Sequence, residues 1–163
     1  MSRALFVPLI LAALALGAAP SLHAQDVRLH AYGLRAGVVL DDDFVQLLVG
    51  GQVDLGTLGE NIRLQPFVTA GVGDDAISLT AAAEAHYLFP VDETSRFEPY
   101  AGGGVGIQHI DFDDAGTDTE VALTLAAGAD IPAARYWGYF VEGRMVIADD
   151  TLFRIEGGFN WRY

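Results

Sequence analysis

The stretch Phe153-Arg154-Ile155-Glu156-Gly157-Gly158-Phe159-Asn160-Trp161-Arg162-Tyr163 alternates with a period of two. Phe153, Ile155, Gly157, Phe159, Trp161 and Tyr163 share one face; Arg154, Glu156, Gly158, Asn160 and Arg162 share the other. Successive side chains of a strand point to opposite sides, so this pattern predicts a strand with one apolar and one polar face. The segment from Val121 to Ile131 repeats it, with Val121, Leu123, Leu125, Ala127, Ala129 and Ile131 on the apolar side. So does the segment from Ile77 to Phe89, where Ser78, Thr80, Glu84 and His86 lie on the polar side.

Working outward, looser alternation places further strands at about 27–37, 44–55, 62–72, 97–110 and 139–147, for eight in all. The first is the least regular, because Arg35 falls on the face shared by Leu29 and Ala31. A bulge near Gly33 would restore the alternation. An internal repeat supports the assignment: Gln65-Pro-Phe-Val-Thr-Ala-Gly-Val-Gly73 resembles Glu98-Pro-Tyr-Ala-Gly-Gly-Gly-Val-Gly106. Proline stands early in both copies, where a missing ladder donor costs least. The runs are long enough for a tilted membrane crossing, which takes about 9–11 residues.

The composition excludes several classes. The 163 residues contain no cysteine, which removes disulfide scaffolds, thiolate metal sites and cysteine nucleophiles. The formal charge of −13 and the absence of lysine disfavour nucleic acid as a partner. At 52% hydrophobic and 19% charged, the chain is too apolar for disorder. At the N-terminus, Arg3 precedes the apolar run from Ala4 to Ala19, and Ser21-Leu22-His23-Ala24 follows. This is the pattern of a secretory signal peptide over residues 1–24, with a mature domain over 25–163.

Alternation alone does not say which face points inward. A soluble barrel would turn its apolar face in; a membrane barrel turns it out. The aromatics Tyr87, Phe89, Phe97, Trp137, Tyr139, Trp161 and Tyr163 gather at one end of the strands, as an interfacial girdle requires. The polar faces mix small residues with opposite charges, which suits a narrow, filled lumen. The expected fold is therefore all-β, an eight-stranded antiparallel up-and-down transmembrane β-barrel.

The leader, the eight alternating strands and the Pro-aromatic…Gly-Val-Gly strands resemble the small bacterial outer-membrane barrels of the outer-membrane-protein-A and opacity-protein type. The ending Phe159, Trp161 and Tyr163 resembles the C-terminal signal by which the barrel-assembly machinery recognises its clients. The resemblance implies an integral outer-membrane location, lipid and lipopolysaccharide as surroundings, and both termini in the periplasm. With that topology, turns fall near 56–60, 90–96 and 132–138, and external loops near 40–43, 73–75, 111–119 and 148–150. Eleven of the fifteen aspartates then lie on the four loops. Acidic loops offer oxygen ligands to divalent cations. Asp111, Asp113 and Asp118 are the candidates, but turn chemistry and hydration explain the aspartates without a metal, and no metal or cofactor is assigned.

Inside, the charges need partners, because an unpaired charge in a confined interior is costly. Arg28, Arg63, Arg144, Arg154 and Arg162 are expected to pair with Asp54, Glu84, Glu98, Asp130, Glu142 and Glu156 in a network that plugs the lumen. Gly102, Gly104 and Gly106 are expected to make room there for Tyr32, Phe67 or Tyr100. No nucleophile–base pair emerges from Ser78, Ser95, His30, His86 and His109, so no catalytic residue is assigned. The sequence thus points to a monomeric, non-enzymatic barrel with a structural or surface-exposed role. The alternatives are a narrow channel or small-solute transporter, and a soluble periplasmic ligand-binding barrel.

Overall fold

The computed structural model describes residues 28–40, 45–73, 76–92, 94–112 and 116–162. The expected signal peptide, Asp113 and Tyr163 lie outside the described residues, as do the loop aspartates Asp41, Asp42, Asp43, Asp74, Asp75 and Asp114. The strands are β1 (Ala31–Leu40), β2 (Val45–Asp54), β3 (Thr57–Leu58), β4 (Ile62–Gly73), β5 (Ala76–Leu88), β6 (Glu98–Phe112), β7 (Gly116–Ala134), β8 (Trp137–Ile147) and β9 (Thr151–Arg162). Two-residue β3 is a short ladder against the start of β4, flanked by Gly56 and Gly59, whose φ angles of 86° and 67° suit glycine. The other eight pair with their sequence neighbours, and β1 also pairs with β9, so the sheet closes into an antiparallel up-and-down barrel.

Every long strand alternates, and the polar residues point in. Arg35, His86, Arg144, Arg154, Glu142 and Glu156 are all essentially inaccessible, whereas Leu34, Leu47, Val49, Val105, Val121 and Leu123 stand exposed on the outer wall. Leaving a large aliphatic side chain in water rather than burying it costs about 1.5–3 kcal/mol. An exterior band of such residues is stable only in an apolar surrounding.

Three expectations change. β1 has no bulge at Gly33: its register runs unbroken from Ala31 to Leu40 against both β2 and β9. Leu29 precedes the strand, so small Ala31 shares the inner face with Arg35, and the break in pattern disappears. The expected loop at 111–119 is instead a continuation of the β6–β7 hairpin, whose register holds from Ile107 opposite Val121 to Phe112 opposite Gly116. Above the apolar band both faces carry polar groups, so hydrophobic period is silent while the ladder continues. At its other end β7 runs on through Pro132, with a register shift between Pro132 and Ala134. Finally, Tyr32 points outward and stacks on Trp161 at 5.6 Å, while Phe67 and Tyr100 fill the interior.

The inner wall is asymmetric. β6 presents Gly102, Gly104 and Gly106 between Tyr100 and Gln108, and β7 presents Ala122, Thr124, Ala126 and Gly128. This low wall faces long arginines and glutamates from β8, β9 and β1. A Cβ on Gly104 would stand 2.0 Å from the Ala83 carbonyl oxygen, so only glycine permits the close approach of β5 there.

Candidate functional site

The lumen concentrates the chemistry. Buried within it are Arg35, Arg63, Arg144 and Arg154, together with Glu84, Asp130, Glu142 and Glu156, so the formal charges of these eight cancel. The strand register explains how they must pair. Glu142 lies directly opposite Glu156, and Arg144 opposite Arg154, on adjacent β8 and β9. Like charges side by side are unfavourable, so partners come mainly from other walls.

Arg35 on β1 reaches Glu142 at 2.9 Å and Glu156 at 3.2 Å. Arg144 bridges Glu142 at 2.7 Å and Glu84 on β5 at 2.9 Å. The Tyr100 hydroxyl donates to the second oxygen of Glu142 at 3.0 Å. The Phe67 ring lies against both guanidinium groups, its centre 4.6 Å from that of Arg35 and 3.8 Å from that of Arg144. Such stacking adds attraction where the charges are desolvated. His86 bonds Glu84 through Nε2 at 2.8 Å and stacks on Tyr100 with ring centres 4.8 Å apart.

Toward the turn end, Arg63 pairs with Asp130. Asn160 links Asp130 to Gln52, accepting from the Gln52 amide at 2.7 Å. Toward the loop end, Arg154 donates to the hydroxyls of Thr80 at 2.9 Å and Thr69 at 3.4 Å. Among the described residues no carboxylate lies within ion-pair distance of Arg154. Beyond it Val39, Leu48, Ala122, Val146 and Leu152 form a buried aliphatic layer. The lumen is thus a charge network with an aliphatic cluster on its loop side, beside which Ser78 donates to Gln46 at 2.8 Å.

Of the expected network residues, the structure brings together Arg63, Glu84, Glu142, Arg144, Arg154 and Glu156 in the interior. It does not bring Arg28, Glu98 or Arg162 there. Arg28 is exposed ahead of β1, and Arg162 pairs with Glu98 at 3.3 Å on the turn-end rim, with both side chains over 40% accessible. Position along the strand decides this: inward parity at a strand end points at the barrel mouth. Sequence reasoning missed Arg35 and gave His86 and Tyr100 no place in the network. The spacing of Ala31, Gly33, Arg35 and Val39 on one face carried the signal for Arg35.

Glu84, His86 and Glu142 offer ligand atoms within 4.8 Å of one another. The Arg144 guanidinium bonds both carboxylates and already stands where a cation would. Asp111 and Asp118 are exposed near the top of the β6–β7 hairpin, where Ile110 faces Asp118 and Asp111 faces Thr117. The two aspartates therefore point to opposite sides of the hairpin. Glu120 accepts from the Asp149 amide at 3.0 Å. That bond lowers its pKa, but desolvation and the adjacent carboxylates of Asp149 and Asp118 outweigh it, and the group is held above the usual carboxylate range.

On the outer wall at the turn end, an aromatic ladder runs across β8 and β9. Trp137 meets Tyr139 at 5.0 Å, Tyr139 meets Phe159 at 5.0 Å, and Phe159 meets Trp161 at 6.2 Å. Phe159 and Trp161, two of the three expected assembly-signal residues, thus form part of a continuous aromatic surface.

No protein-family model matches this chain, and no curated protein matches it in sequence. Solved structures do match in fold. The N-terminal β-barrel domain of Pseudomonas aeruginosa OprF superposes with a TM-score of 0.65 at 14% identity, covering 83% of this chain and 98% of that one. Neisserial surface protein A gives 0.65 at 12% identity, over 82% and 95%. Ail, the attachment invasion locus protein of Yersinia pestis, solved with a heparin analogue, gives 0.55 at 13% identity, over 82% and 95%. At these identities the likeness is one of fold: the closed eight-stranded barrel.

Proposed function

We propose that this chain is an integral outer-membrane barrel with a plugged lumen and a structural or surface-exposed role, without catalytic activity. The observation that carries the reading is the inverted distribution of polarity. Aliphatic residues cover the outside, and a charge-balanced network with an aliphatic layer fills the inside. Desolvated ion pairs resist disruption, because removing one partner strands a buried charge. An ion crossing the lumen would have to break such pairs. The fold shared with surface barrels of Pseudomonas, Neisseria and Yersinia supports the location.

In this reading the aromatic ladder sits at the periplasmic interface, lipid and lipopolysaccharide surround the band, and Phe159, Trp161 and Tyr163 engage the barrel-assembly machinery. The barrel is a monomer in this reading; the closure of the eight-stranded ring within one chain is consistent with it. The test is conductance of the refolded chain in a planar bilayer, with insertion verified by a heat-sensitive gel shift. The expected result is a silent membrane containing folded barrel. Reproducible unitary steps would replace the plugged reading with the narrow channel. Folding in buffer without detergent or lipid would overturn the membrane reading itself.

A further inference from the structure

Closing a sheet into a barrel removes its edges, but here one stretch escapes closure. The β7–β8 ladder begins only at Leu123 opposite Ile147. β7 continues for seven more residues, Gly116–Ala122, paired to β6 on one side alone. β6 is covered on its far side by β5 up to Phe112, so the free side belongs to β7. At about 3.3 Å per residue, the unpaired backbone runs roughly 23 Å. Among the described residues, no backbone–backbone hydrogen bond from another segment reaches it. From the β8–β9 turn, the Asp149 amide donates to the Glu120 side chain at 3.0 Å, and Ala148 packs against the aliphatic cluster that includes Ala122.

Charge sets what such an edge accepts. Asp118 and Glu120 lie on one face of this stretch, and Thr117, Thr119 and Val121 on the other. Asp149 and Asp150 stand nearby on the β8–β9 turn, and no lysine or arginine occurs in any segment at this end of the barrel. A second copy is a poor occupant. Two upright barrels in one membrane are related by rotation about the membrane normal, which leaves strand direction unchanged. Their β7 edges would meet in parallel, with Asp118 and Glu120 at matching heights.

We propose that the free edge of β7 from Thr117 to Ala122 takes up an extended, positively charged segment of a partner protein as an added strand. Main-chain hydrogen bonds supply the attachment, and alternation supplies the selectivity. Every second residue of the incoming strand meets the acidic face of Asp118 and Glu120, and the intervening ones lie beside Thr117, Thr119 and Val121. The acids that bar self-pairing thereby choose the charge of the guest. This assignment does not depend on whether the lumen conducts.

The test uses the full chain in lipid nanodiscs and a synthetic seven-residue probe, acetyl-Thr-Arg-Val-Arg-Thr-Arg-Val-amide. Amide hydrogen exchange is read residue by residue. The expected result is slowed exchange at alternate amides of Thr117–Ala122, absent with a glutamate-for-arginine peptide and with a peptide of equal charge carrying proline at alternate positions. Asp118→Asn combined with Glu120→Gln, both at exposed or half-exposed sites, should weaken binding about fivefold to tenfold while leaving the heat-sensitive gel shift intact. Equal binding of the proline peptide would reduce the site to charge alone and overturn the added strand. Protection of the edge without peptide, rising with protein concentration, would assign the edge to a second copy. Unchanged exchange would refute the site, while the gel shift independently reports whether the barrel itself is folded.

Discussion

Glu142→Ala probes the lumen most directly. Its carboxylate receives Arg35 at 2.9 Å, Arg144 at 2.7 Å and the Tyr100 hydroxyl at 3.0 Å, with no solvent access. Removing one partner of a buried ion pair costs about 3–5 kcal/mol, because the remaining charge stays desolvated. Here both arginines keep a second carboxylate: Arg35 keeps Glu156 at 3.2 Å and Arg144 keeps Glu84 at 2.9 Å. The lower end, about 3 kcal/mol, therefore applies, which is roughly a 150-fold shift in the unfolding equilibrium. Urea-induced unfolding from lipid vesicles measures it. Trp137 and Trp161 are the only tryptophans and both lie at the turn end, so their fluorescence reports insertion without an added label. A cost for Glu142→Ala below about 1 kcal/mol, the range of exposed pairs, would mean that water screens the lumen, and the plug argument would fail.

Four further outcomes follow from the geometry. Gly104→Ala places a methyl 2.0 Å from the Ala83 carbonyl and should cost about 3 kcal/mol or more. Gly143→Ala, whose nearest neighbour is 3.7 Å away, should leave the urea midpoint nearly unchanged. Val146→Ser with Leu152→Ser empties part of the buried aliphatic cluster and should cost about 3 kcal/mol or more in the same urea assay. Glu120 is an acid whose folded pKa lies above its unfolded value, so it binds protons more readily when folded. Stability therefore decreases as pH rises through that range, and Glu120→Gln should flatten this slope, as carbon-detected titration and urea midpoints at several pH values would show.

Much of the fold was legible in the residues. Period two along Phe153–Tyr163, Val121–Ile131 and Ile77–Phe89 determined strands and their faces, and the aromatic and aspartate positions determined two unlike ends. Those are local properties: a side chain's face depends only on its parity along its own strand. The Arg35 misreading arose one level up, from assigning Leu29 to a strand that begins at Ala31.

What tertiary structure decided was who meets whom. Parity puts Glu142, Arg144, Arg154 and Glu156 inside, but it cannot foresee that adjacent strands set glutamate beside glutamate and arginine beside arginine. The ring then supplies Arg35 and Glu84 from more distant strands, while among the described residues Arg154 bonds the Thr69 and Thr80 hydroxyls. It also sent Arg162 and Glu98 to the rim and left one side of β7 unpaired above Leu123. Register and closure join residues tens of positions apart, and their geometry depends on every strand in the ring. A single strand's pattern determines its faces, whereas only the closed barrel determines its partners.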